Sequence, residues 1–257
     1  MRIIKWLIGL GLIGGLALGA GLALAFFTAT PTTTYTNTAL VPFDAQVTQP
    51  SAEPSPIVLP ANVSLAVPYT TQAPLNDWGN KQHTCEEATL LMVDQYLKGN
   101  HSGGTIDART ADAGINQITS WKPVQDMTDV QLGQMAKANL AYGYQVLAAS
   151  RVNIKTELAL GRPVIVGVRT HGLGNPHYPG YSSHYEQAGW SVSHFLVVAG
   201  YDSNDDTVIL NDPGISSGHG YHITFDQLFH AIDDLDQAYP ALNEGQVFLV
   251  LAPIAGA

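Results

Sequence analysis

The run of apolar and polar positions divides the chain into three unlike stretches. From Trp6 to Phe27 there are 22 residues without a charge or a strongly polar side chain, preceded by Arg2 and Lys5. At 1.5 Å rise per residue, such a stretch is long enough for a hydrocarbon core of about 30 Å. The flanking positive charges hold that end inside, so residues 1–27 predict a single membrane-spanning anchor with the rest of the chain outside. The apolar core of a cleaved signal peptide is shorter, about 7–15 residues. The small-residue sequence "ALA" before Phe26 keeps cleavage, and hence secretion, as the alternative. Residues 28–64 are rich in Thr, Pro and Ser and show no period, which predicts an extended linker. Regular patterning occupies residues 65–257, taken as one folded domain.

In that domain a helical period begins at Cys85. Ala88, Leu91, Met92, Gln95 and Tyr96 recur at i, i+3, i+4, and Leu90, Val93 and Leu97 widen the apolar face, which predicts a buried central helix. Thr84 and Glu87 have capping-box spacing, and Gly99 supplies a stop. Short apolar, β-branched runs bounded by Gly, Pro or Asp predict strands at 161–170, 191–202, 206–214 and 245–253. "NIKTELAL" (153–160) and "ITFDQLFHAI" (223–232) read as helices. "DSNDD" (202–206) reads as a hairpin turn between the second and third strands. The sum is an α+β fold with an antiparallel sheet.

Charge narrows the function classes. The chain has 11 basic and 21 acidic residues, a net charge of −10. Phosphate binding needs a basic face, so nucleic acid is excluded as a partner. No Lys or Arg follows Arg169, while ten Asp or Glu do. That asymmetry fits either a soluble acidic surface or a site that attracts cationic peptides.

Cys85 is the single cysteine. An exported chain with one cysteine has no internal disulfide, and an exposed spare thiol is an oxidation hazard. Cys85 is therefore either a buried inert residue or one kept for reactivity. It falls in the first turn of the predicted helix, where unpaired N–H groups and the helix dipole favour a thiolate, against the opposing charges of Glu86 and Glu87. A thiol nucleophile needs a base and a group to orient it. His194 sits at the head of the most apolar strand, where an unsatisfied ring is expensive. A hairpin turning at Asn204 and Asp205 brings residue 194 opposite 212–215, within reach of the Asp212 carboxylate. His83 is a loop residue beside the site, and the Gly-, Tyr- and His-rich stretch 171–190 predicts a rim loop. His171, His177 and His184 match no zinc-ligand spacing, so no metal or cofactor is predicted.

The motifs "VPYTTQ" (67–72), "TCEEATLLMVDQYL" (84–97), "GRPVIVGV" (161–168), "SHFLVVAGYD" (193–202) and "ILNDPG" (209–214) occur in that order. Together they resemble the bacteriocin-processing-peptidase-like (double-glycine leader peptidase-like) family, a branch of the papain-like cysteine peptidases. The resemblance runs from about Val67 to Pro253. It implies a papain-like fold with the nucleophile helix packed on the sheet, Cys85 as nucleophile, His194 as general base and Asp212 as orienting acid. It also implies a glutamine upstream of the cysteine as oxyanion donor. By motif this is Gln72, with Gln82 the rival because the Gln72–Cys85 separation is long. Thr84 and Ser193 stand where the family usually has glycine. Gln82, His83, Trp190 and Ser193 are the expected substrate-contacting residues.

The function expected is a membrane-tethered extracytoplasmic cysteine peptidase acting on peptides, anchored in the bilayer by residues 6–27. A non-catalytic peptide-binding module of the same fold, or a cell-wall amidase or acyl transferase with the same triad, are the alternatives.

Overall fold

The computed structural model describes residues 59–173, 192–242 and 244–254. The expected anchor, nearly all of the expected linker, and Trp190 lie outside the described residues. Among the described residues, no helix is long and apolar enough to cross a membrane.

The architecture is α+β. Seven strands form one antiparallel sheet: β1 Asn62–Ser64, β2 Tyr142–Ala148, β3 Val164–Arg169, β4 Ser193–Asp202, β5 Thr207–Asn211, β6 His219–Thr224 and β7 Val247–Pro253. The order is β2-β7-β3-β4-β5-β6. β1 pairs with β4 at Gly200–Asp202, past the end of its pairing with β3 at Val198. Five α-helices are described: α1 Cys85–Leu97, α2 Ala108–Thr119, α3 Asp129–Leu140, α4 Arg151–Ala159 and α5 Phe225–Ala238.

The central strands are apolar on both faces because both are covered by helices. Ile165, Phe195, Val197, Leu249 and Leu251 belong to a core shared with α1, α2 and α3. Their neighbours Val164, Val166, Leu196, Val198 and Phe248 belong to a second core with α4 and α5. The period of two thus assigns each strand residue to one of two helical layers. α1 is the most deeply set helix, buried from Cys85 to Asp94.

Four predicted strands, three helices and the hairpin turn are present, and the turn closes with Asp206 in the left-handed region at φ 51°. Elements that the sequence reading did not place are β1, β2, β6, α2 and α3. Their signals are legible in retrospect. Tyr142, Tyr144 and Val146 alternate into the core, and Thr128 and Gln131 form a complete capping box for α3. β1 falls in the segment read as linker. It is tied to the sheet by Tyr201 Oη donating to the Pro60 carbonyl (2.7 Å) and Ser203 N–H donating to Ala61 (2.8 Å).

Candidate active site

α1 starts at Cys85 but not through the expected capping box. Thr84 makes no side-chain cap. Its hydroxyl donates instead to the carbonyls of Gln72 (3.1 Å) and Lys81 (3.0 Å), fastening the loop before the helix to the strap 67–72. Glu87 does not reach back to the cap because it pairs with Lys122.

The strap crosses the end of β5. Asn211 Nδ2 donates to the Val67 carbonyl (3.2 Å), Tyr69 Oη donates to the Asp212 carbonyl (3.1 Å), and Gln72 N–H donates to Pro213 (2.8 Å). Gln72 is buried, and its amide Nε2 donates to the Lys81 carbonyl at 2.6 Å. The two predicted glutamines therefore diverge. Gln72 lies in the network joining the Cys85 loop to the Asp212 turn, whereas Gln82 and His83 are exposed.

His194 and Asp212 meet as the hairpin register predicts. β4–β5 pairing ends at Val197 opposite Asn211, and His194 Nε2 lies 2.6 Å from Asp212 Oδ1. Both are sequestered, with side chains 4% and 0% exposed. A pair so desolvated gains from a charge-assisted bond that an exposed pair would lose to water. The same carboxylate oxygen accepts the Gly214 N–H at 2.7 Å, and Asp212 N–H donates to the Gly218 carbonyl at 2.8 Å. Gly218 is required here, because a Cβ on it would overlap the Asp212 carbonyl. Ser193 is half-buried, paired with Arg169 at the head of β4.

Cys85 meets β4 one residue beyond His194. The Phe195 backbone is near enough to favour its thiolate, and Thr89 Oγ1, one turn along α1, donates to the Phe195 carbonyl at 3.2 Å. The thiol donates to Glu86 Oε2 at 3.1 Å. The helix start thus does not deliver the expected low-pKa thiolate. Burial pushes the Cys85 thiol well above its ordinary value, the Glu86 charge and hydrogen bond push the same way, and the Phe195 backbone and Lys122 offset only part.

Lys122 is a site residue with no signal in the sequence. It follows α2 in the turn before α3, and its ammonium donates to the His83 carbonyl (2.9 Å), Glu86 Oε2 (3.2 Å) and Glu87 Oε2 (3.3 Å). Burial disfavours its charge, but the two glutamates and Cys85 outweigh this and raise its pKa. Glu86 Oε1 accepts the Met127 N–H at 3.3 Å. Burial raises the Glu87 carboxyl, and Lys122 only partly restores it. Among the described residues, no group of His, Cys, Asp and Glu is arranged to hold a metal ion.

No curated protein matches the chain. Solved structures similar to it include the following two. One, described as a C39-like peptidase from Bacillus anthracis, is 16% identical, with 74% of this chain and 97% of that chain covered and a TM-score of 0.48. The other is xylellain, a cysteine protease from Xylella fastidiosa, 14% identical, with 85% and 96% covered and a TM-score of 0.35. The model of the Peptidase_C39 like family matches residues 64–244, which takes in all five α-helices and the strands β2 to β6. The chain belongs to this family and is a cysteine-type peptidase.

Proposed function

We propose that the chain hydrolyses peptide bonds through Cys85, His194 and Asp212, as an enzyme tethered outside the cytoplasm by residues 6–27. The observation that carries this reading is the buried 2.6 Å contact between His194 and Asp212, with Cys85 against the next residue of the same strand, Phe195. Asp212 takes Nε2 and fixes the ring, so Nδ1 is the nitrogen that exchanges a proton with the thiol.

In the resting arrangement the thiol faces Glu86. Reaction begins when the S–H turns from Glu86 and passes its proton to Nδ1 of His194. The sulfur bonds the substrate carbonyl carbon, and the oxyanion is met by N–H donors at the start of α1 and by Gln72. The imidazolium then protonates the leaving amine as the C–N bond breaks, leaving a thioester at Cys85. His194 next takes a proton from water, which attacks the thioester, and the thiol is restored as the acid leaves.

The test uses the full chain and a mixed-peptide substrate. Cys85→Ser and His194→Ala are each expected to lower kcat/KM by at least about 10³-fold. Brief quenching is expected to trap a hydroxylamine-labile acyl group on Cys85. Hydrolysis at the wild-type rate by Cys85→Ser would remove Cys85 from the reaction. The tether is checked separately, by whether an impermeant protease added to intact cells cuts residues 65–257.

A further inference from the structure

The last residue of β5 is Asn211, paired with Val197 on β4 and with His219 on β6. Asp212 comes next, so its carboxylate is aimed by the turn that follows rather than by the sheet. Two bonds close that turn, Asp212 N–H donating to the Gly218 carbonyl (2.8 Å) and Gly218 N–H donating to the Ile215 carbonyl (3.2 Å). Both lie within the turn and do not fix how it is set against the strap. Yet Asp212 Oδ1 lies 2.6 Å from His194 Nε2, with the carboxylate wholly buried. A catalytic group has to be held within about 0.5 Å of its productive place, so the turn needs a hold from outside itself.

Tyr69 supplies one. Its backbone is fastened on the far side of the strap, where its N–H donates to the Gly104 carbonyl (2.9 Å) and its carbonyl accepts the Ile106 N–H (2.8 Å). Its hydroxyl reaches the carbonyls of both Asp212 (3.1 Å) and Ile215, sharing one proton across the turn. The residue is buried, and its ring is stacked on that of His219, an exposed residue, with centroids 5.1 Å apart and planes 8° from parallel. Burial, and then the Asp212 charge, hold the phenol well above its ordinary pKa, so it remains a donor at neutral pH and above. Gln72 N–H holds the neighbouring Pro213 carbonyl (2.8 Å), which makes Tyr69 one of two ties between strap and turn.

We propose that Tyr69 is a positioning residue for the reaction: its hydroxyl, with the ring pinned by His219, sets the Asp212 turn so that the carboxylate meets His194. The assignment rests on the peptidase reading above. Tyr69 touches no reacting atom and acts through Asp212. Phenylalanine in its place keeps the ring, its burial and its stack, and removes only the bond to the two carbonyls. The turn is then loosened but not released, because Gln72 still holds Pro213. The contact between His194 and Asp212 weakens, and the imidazolium formed in the reaction loses part of its support.

The first readout is the far-downfield proton resonance of His194 Nε2–H bonded to Asp212, recorded on the full chain and identified by its absence in His194→Gln. In Tyr69→Phe this resonance is expected to move upfield, and its proton to exchange with water at least about fivefold faster, the worth of one hydrogen bond. In peptide hydrolysis, kcat is expected to fall about 5- to 50-fold with KM changed less than about threefold. Added to Asp212→Asn, Tyr69→Phe is expected to lower kcat by less than about a further twofold, since its effect runs through that carboxylate. An unmoved resonance in Tyr69→Phe, or losses that multiply in the double variant as those of an independent structural defect do, overturns the proposal. Should Tyr69→Phe fail to fold, His219→Ala removes the stacking partner from an exposed position. It is expected to move the same resonance in the same direction, and an unmoved one likewise overturns the proposal. If the wild type cleaves no peptide, the peptidase reading fails, and the resonance alone decides whether Tyr69 sets the contact between His194 and Asp212.

Discussion

Replacing Glu86 by Gln is expected to make Cys85 more reactive although a hydrogen-bond acceptor stays in place. The thiol lies 3.1 Å from Glu86 Oε2 with both residues buried. At an effective dielectric of about 20, two unit charges at that separation repel by about 5 kcal/mol, an upper bound on what ionised Glu86 does to a Cys85 thiolate. Lys122 sits 3.2 Å from the same oxygen and cancels much of this while the glutamate is present. Once Glu86 is neutral, Lys122 acts on the thiolate directly. Allowing for that and for local relaxation, the Cys85 thiol is expected to ionise at lower pH. Each tenfold gain in acidity gives about ten times more thiolate below the pKa, while a less basic thiolate is about threefold less nucleophilic. Alkylation by iodoacetamide at pH 7 is therefore expected to accelerate about three- to tenfold, with the midpoint of the rate–pH curve moved down. Gln retains an oxygen for the Met127 N–H, and unfolding curves check that the fold is kept. A midpoint unmoved or raised in Glu86→Gln would refute the claim that this carboxylate holds the thiol protonated.

Gln72→Ala is expected to lower kcat about 10²- to 10³-fold with a smaller effect on KM, the pattern of a lost oxyanion donor. Gln82→Ala, at an exposed position, is expected to change kcat less than threefold in the same assay. Gly218→Ala is expected to displace the Asp212 turn, reducing both activity and the unfolding temperature, because the new methyl overlaps the Asp212 carbonyl. Asp129→Asn is expected to stabilise the protein at pH 7. Burial and then Glu244 raise the Asp129 carboxyl well above its ordinary value, and burial with Asp233 and Glu244 raises Asp236 to about 6. Carboxyls raised in the folded state bind protons that the unfolded chain has released, so their contribution is full below about pH 4 and is lost as pH rises through the folded values. Thermal unfolding followed from pH 4 to 8 is expected to show that loss in the wild type and a shallower one in Asp129→Asn. A steeper fall in the variant would contradict the sign.

The parts of this site that were legible are those set by local pattern. Cys85 announces itself as the start of an apolar helical run, and His194 as a ring in an otherwise apolar strand. The turn at 203–206 fixes the register that brings Asp212 to His194. What was illegible depends on chain crossings that no period encodes. Thr84 and Glu87 have the spacing of a capping box, yet each finds a stronger partner from elsewhere. Thr84 donates to the Gln72 carbonyl brought by the strap as well as to Lys81 in its own loop, and Glu87 binds an ammonium from the turn before α3. A capping box is worth about 1 kcal/mol. A desolvated carboxylate without a counter-charge costs several times that, so the tertiary pairing wins. Lys122 carried no signal for the same reason, since "SWKPVQ" is an unremarkable loop until the fold sets it against α1.

This same contest explains the state of the nucleophile. The helix start alone favours the thiolate by a few tenths of a kcal/mol up to about 1 kcal/mol. Burial and the adjacent Glu86 oppose it more strongly, and the thiol is held as a donor to Glu86 instead. On the proposed mechanism, a sulfur in that position has two acceptors of unequal use, the neighbouring carboxylate at rest and the Asp212-bound imidazole in reaction.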